Sequence, residues 1–120
     1  MKYIVWFKEN MNRTNTIPYE NRYDLISDTH PYFERLREER RILDWGFVSA
    51  GRQAYATFEV STHAELHELT ELCPLRPLCT VDSYPVMDAK EFSKTFDKIN
   101  PELKSRYNKI ENHRNERTTR

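Results

Sequence analysis

Apolar and polar positions alternate from the start of the chain. Residues 2–8 (KYIVWFK) place Tyr3, Val5 and Phe7 on one side and Ile4 and Trp6 on the other, which predicts a strand buried on both faces. Residues 9–17 (ENMNRTNTI) are polar, Asn-rich and without period, so they predict a loop, long enough to serve as a lid. Helical spacing takes over at residues 18–41. Tyr19, Tyr23 and Ile26 outline a short opening segment before a break at Pro31, and Thr29 or His30 then caps a second segment. That segment turns Phe33 and Leu36 inward and a run of Glu and Arg side chains to water.

Residues 42–50 predict a second strand, with Leu43, Trp45 and Phe47 against Val48 and Ala50, and Asp44 intruding on the latter side. Gly51 marks a hairpin turn, because glycine alone takes positive φ without steric cost. Residues 53–60 alternate cleanly: Ala54, Ala56, Phe58 and Val60 share one face, Tyr55, Thr57 and Glu59 the other. Thr62 and Glu65 form a capping box for a helix carried by Leu66, Leu69 and Leu72, which Pro74 ends. A proline corner (LRPLC, 75–79) leads into a strand at 80–84. Beyond it, 88–99 is amphipathic through Phe92, Phe96 and Ile99, a more polar helical stretch follows from Pro101 to about 112, and 113–120 reads as disordered.

The order β, α, β, β, α, β with an added C-terminal helix is that of an α+β, ferredoxin-like unit, a four-stranded antiparallel sheet with two helices on one face. Because two helices cover one side only, the apolar residues of the other side predict a sheet-to-sheet contact with a second copy, giving a dimeric α/β barrel. Residues 1–100 form the single domain of this reading and 101–120 a polar helical extension and tail.

Composition narrows the function. Charged residues make up 32% and hydrophobic ones 38% of 120 residues, so the core is economical, and net charge is zero. Residues 1–100 hold 13 Lys and Arg against 16 Asp and Glu, and 101–120 hold 6 against 3. No concentrated basic face argues for nucleic acid. No apolar run approaches a membrane span or a signal-peptide core, which points to a cytoplasmic protein. Cys73 and Cys79 are too few and too poorly patterned for a disulfide framework or zinc knuckle, and are expected to be reduced. His63 and His67, four apart, lack a third ligand, and two glycines cannot build a phosphate loop, so neither a metal nor a nucleotide cofactor is expected.

Between Trp45 and Val86, the hairpin glycine Gly51, Tyr55, the Glu59-Val60 strand end, the Leu66-His67 pair and the Pro74, Leu75, Pro77 corner together resemble the muconolactone isomerase family. The resemblance implies the dimeric α/β barrel, often in larger oligomers, and cofactor-free chemistry. Moving a double bond within a lactone, or a related cyclisation or tautomerisation, needs a base near a carbon acid and a donor near the developing enolate.

The residues themselves offer Asp44, a carboxylate among aromatics whose partial burial would raise its pKa, together with His30 at a helix start and Tyr55 as an oxygen-binding phenol. Tyr84 and Tyr3 are further phenols, Arg52 and Arg76 suit a substrate carboxylate, and Ala54 and Ala56 leave room on the sheet. Trp6, Trp45 and Phe58 would flank that room as an aromatic-lined pocket. The functional expectation is a cofactor-independent isomerase or cyclase acting on a small lactone or hydroxylated aromatic compound. A non-catalytic small-ligand or assembly protein of the same fold, or a cofactorless monooxygenase, are the alternatives.

Overall fold

The computed structural model describes residues 1–48 and 51–119, with side chains through Glu116. Two compact units result, Met1–Val86 and Met87–Arg120. The first contains β1 (Lys2–Glu9), α1 (Met11–Thr14), α2 (Tyr19–Glu38), β2 (Ile42–Phe47), β3 (Gln53–Glu59), α3 (His63–Glu71), a 3₁₀ turn (Arg76–Leu78) and β4 (Cys79–Pro85). The second is the single helix α4 (Ala89–Thr119).

The four strands form one antiparallel sheet in the order β2-β3-β1-β4. With α2 and α3 as the crossovers, this is the ferredoxin-like arrangement. Alternation along β1 decides which side is covered. Tyr3, Val5 and Phe7 are buried, and β1 lies opposite β3 with Val5 facing Ala56 and Phe7 facing Ala54. Phe33 and Leu36 of α2 and Leu66 and Leu69 of α3 join the same core. The Tyr32 hydroxyl ties the two helices together by donating to the Leu69 carbonyl at 2.6 Å.

Several elements depart from the sequence reading. The segment expected as a loop contains α1, because the Asn10 side chain accepts from the backbone amides of Asn12 and Arg13 and so caps one turn. The break expected at Pro31 is absent. Thr29 is no cap but a buried helix residue whose hydroxyl donates to the Leu25 carbonyl, and the proline sits on the exposed side of a continuous α2. β2 ends at Phe47, while Ser49 and Ala50 lie outside the described residues.

A bulge between Ile42 and Asp44 resets the alternation of β2, so Ile42 and Trp45 face the helices although three residues apart. The capping box at α3 forms with Thr62 accepting from the Glu65 amide, but the Glu65 carboxylate reaches the Ser61 amide, one residue earlier than the motif predicts. α4 is a single helix through Pro101 and on to Thr119, where two stretches and a disordered end were expected.

Candidate functional site

A cavity of 440 Å³ opens on the helix-covered side of the sheet within Met1–Val86. Its lining is built from local pattern. Phe7 and Ala54 supply the sheet floor, and Leu75 and Leu78, carried by the proline corner, supply an apolar wall. The small Ala54 side chain opposite Phe7 leaves this part of the sheet uncovered by bulk. The first half of α2 supplies the far side: Tyr19, Arg22, Tyr23 and Ile26 recur at helical spacing and therefore share one face. Further along that face Thr29, Phe33 and Leu36 are buried, so the same stripe is core at one end and cavity wall at the other.

Polar groups enter at fixed points. Glu9, the last residue of β1, continues the covered stripe of Tyr3, Val5 and Phe7, and its side chain is 17% exposed. It accepts from Arg52 Nη1 at 3.1 and 3.3 Å, while its own amide donates to the Arg52 carbonyl at 3.0 Å, so side chain and backbone clamp the same pair. Thr14, from α1, is buried, and neither its Oγ1 nor the Nε of Arg22 has a hydrogen-bond partner among the described residues. The Arg22 guanidinium lies 5.6 Å from the Tyr19 ring.

Cys79 also lines the cavity, but burial first and the Glu9 charge second push its thiol up to about 11. It therefore stays protonated near neutral pH and is no thiolate nucleophile. Cys73, packed away from the cavity lining, is raised to about 12 by burial.

Of the residues singled out from sequence, the structure brings Arg52 and Ala54 to this cavity. Asp44 is exposed rather than partly buried, because the β2 bulge turns it opposite Thr57 on the open face of the sheet. Tyr55 and Trp6 share that open face, ring centroids 5.8 Å apart, and Tyr84 is exposed there opposite Ile4. Trp45 lies on the helix side, donating to Glu34 Oε1 at 2.9 Å and packing against Phe33, with His30 edge-on at 5.2 Å. Ala56 and Phe58 are fully buried in the core.

Trp6 and the pair Trp45 and Phe58 thus lie on opposite sides of the sheet and do not flank one pocket. Arg76 is held by Glu71 and by the Cys79 carbonyl, and Tyr3 meets His63 Nδ1 at 2.6 Å.

Glu9, Thr14 and Arg22 were missed. The signal for Glu9 was its even spacing from Phe7, lost when the strand was ended one residue early; the signal for Arg22 was its place between Tyr19, Tyr23 and Ile26. Among the described residues no group of three or more His, Cys, Asp or Glu side chains is placed to hold a metal, and no helix is long and apolar enough to cross a membrane.

No protein-family model matches the chain, and no curated protein matches it. Among solved structures, a 5-chloro-2-hydroxyhydroquinone dehydrochlorinase (TftG) from Burkholderia phenoliruptrix AC1100, in complex with 2,5-dihydroxybenzoquinone, has a similar fold. The TM-score is 0.56, at 18% identity, over 75% of this chain and 97% of that chain. At that identity the likeness carries the architecture: the chain has the ferredoxin-like α+β fold of that structure.

Proposed function

We propose that the chain is a small-molecule enzyme that moves a proton on a hydroxylated aromatic or lactone-like compound without a cofactor, an isomerase or cyclase in type. The observation that carries this reading is the cavity on the covered side, an apolar floor of Phe7, Ala54, Leu75 and Leu78 with the Glu9 carboxylate at its edge. Its 440 Å³ suits a ligand of one or two rings. A solved structure of the same fold holding a dihydroxybenzoquinone supports the choice of ligand class.

In this reading Glu9 takes a proton from an acidic C–H or O–H of the bound compound and returns it at another atom. Arg52 orients the carboxylate, and the apolar floor keeps water from competing for the proton. Tyr19, Tyr23, Ile26 and Phe47, all exposed at the mouth, would close over the ring on binding.

The open face of the sheet supports a second copy as partner. Ile4, Trp6, Tyr55 and Thr57 are half-buried and Tyr84 is exposed there, an apolar stripe that a sheet-to-sheet contact would cover. Asp44, Tyr55, Trp6 and Tyr84 would then lie at the contact between two copies rather than in the reaction site, whereas His30, Trp45, Ala56 and Phe58 act through packing.

A non-catalytic binding role is the second reading. It is favoured by the Glu9 carboxylate being already engaged by Arg52. Turnover of 2,5-dihydroxybenzoquinone and of a panel of unsaturated lactones by the full chain, with Glu9→Gln alongside, separates the two. Catalysis predicts a loss of roughly a hundredfold or more in Glu9→Gln with ligand affinity retained. Binding without turnover in the wild-type chain would leave the second reading standing.

A further inference from the structure

Within this cavity we infer an anion subsite: Arg22 Nε and Thr14 Oγ1 are donors held in readiness for an anionic oxygen on a planar ligand, a carboxylate or an ionised phenol. The inference rests on the cavity being the ligand site, as proposed above, and adds the substrate's charge. Both atoms are buried, both belong to residues that line the cavity, and both lack a hydrogen-bond partner among the described residues. Buried donors left unpaired cost stability, and proteins leave few of them. Two such donors, from α1 and α2, belong to the lining of one cavity, where the oxygens of an anionic ligand would satisfy them.

Charge points the same way. The lining holds Arg22 and Arg52 against Glu9, and Glu9 is matched by Arg52, which leaves Arg22 uncompensated within the lining. Arg22 also lies in the first turns of α2, where the helix dipole favours a negative group. A guanidinium is always charged, and its planar N–H groups fit a carboxylate or phenolate oxygen better than a neutral ring substituent.

Calorimetric titration of the full chain with benzoate, 4-nitrophenolate, and their neutral counterparts benzamide and 4-nitroanisole tests this directly. Each anion should bind at least tenfold more tightly than its neutral counterpart, and a preference confined to one anion identifies the source as carboxylate or phenol. Arg22→Gln and Thr14→Val should each erase roughly ten- to hundredfold of the anion affinity while leaving the neutral compounds nearly unchanged.

Thr14→Val supplies a readout that a structural role would not share. Removing an unpaired buried hydroxyl should leave the ligand-free melting temperature unchanged or higher, and a fall of several degrees would mean that the hydroxyl serves the fold. Equal affinity for anion and neutral compound in the wild-type chain would overturn the subsite and leave the proposed cavity function intact. Failure of all four compounds to bind would overturn both.

Discussion

Both faces of the sheet carry large apolar side chains, the helix side more of them, and the two behave oppositely. On the helix side Val5, Phe7, Ala56 and Phe58 are completely buried, whereas on the open side Ile4, Trp6, Tyr55 and Thr57 keep part of their surface and Tyr84 half of it. A cavity needs two layers with a gap between them, and only the helix side has the second layer within Met1–Val86. The gap appears where the packing stripe of α2 runs past the bulky core onto Ala54. The cavity therefore follows the covering layer and not the richness of a strand in tyrosine, tryptophan or aspartate.

The sharpest break between the faces is in stability. Phe33 is fully buried against Phe7 and Trp45, with ring centroids 5.7 and 5.2 Å away. Phe33→Ala should cost about 3–5 kcal/mol by denaturant titration, the range for deleting a buried aromatic ring. Trp6→Ala on the open face, where only the contact with Tyr55 and part of the ring's burial are lost, should cost clearly less at concentrations that keep the chain monomeric. Equal costs would mean that the open face is sealed in the isolated chain.

Activity should divide along the same line. Glu9→Gln, on the covered stripe, is expected to lower kcat by about a hundredfold, equivalent to about 2.7 kcal/mol of barrier, whereas exposed Asp44→Asn should change it less than twofold. Steady-state kinetics on both variants decides the matter. The reverse ranking would move the reaction to the open face and to a site shared between two copies.

How much of this was legible in the sequence differs by level. Strand alternation sorted Tyr3, Val5 and Phe7 from Ile4 and Trp6 correctly, and Thr62 and the proline corner announced their turns, because each of these signals is local. The order of the elements then carried the ferredoxin-like arrangement. Asp44 was misplaced because one extra residue in β2, the bulge at Ile42/Asp44, shifts the strand's pattern and no residue type announces it. α1 escaped because four residues are too few to show a period, although Asn10 carried the capping signal. Spacing could have put Arg22 on the face of Tyr19, Tyr23 and Ile26, but what distinguishes it and Thr14, a buried polar atom with no partner among the described residues, exists only in three dimensions.

The faces should also part under alkali. Tyr32 is raised to about 12 by burial, Cys73 to about 12 and Cys79 to about 11, all on the helix side. Each group is neutral when protonated and has a folded pKa above its unfolded value, near 10 for the phenol and 9 for the thiols. Their contribution is therefore complete below about pH 9 and is lost as pH rises through the window from 9 to 12. Tyr32→Phe, which gives up the hydrogen bond to Leu69, should be about 1 kcal/mol less stable at neutral pH. That gap should narrow above pH 10, as the wild-type phenol becomes costly to keep neutral. Denaturant midpoints across the range check both the sign and the narrowing, and a constant gap would contradict burial as the cause.

The smallest effect on stability should come from Gly46→Ala, and it tests what covers the open face. A methyl group built there would approach Tyr55 Oη, Cε1 and Cζ to 3.0, 3.1 and 3.2 Å, so the ring must move. In an isolated chain the ring can swing toward solvent, and the loss is offset by about 0.4–1 kcal/mol from restricting the unfolded backbone. Monomer stability should then change by less than about 1 kcal/mol. With a second copy packed over the face, the same swing meets the partner's strands, and packed interfaces resist shifts of this size. Sizing across a dilution series should show Gly46→Ala dissociating at roughly tenfold higher concentration than the wild-type chain, a shift of about 1.4 kcal/mol confined to assembly. A dimer whose dissociation ignores Gly46→Ala would have to be built on some other surface, and Tyr55 would then be a solvent-facing residue.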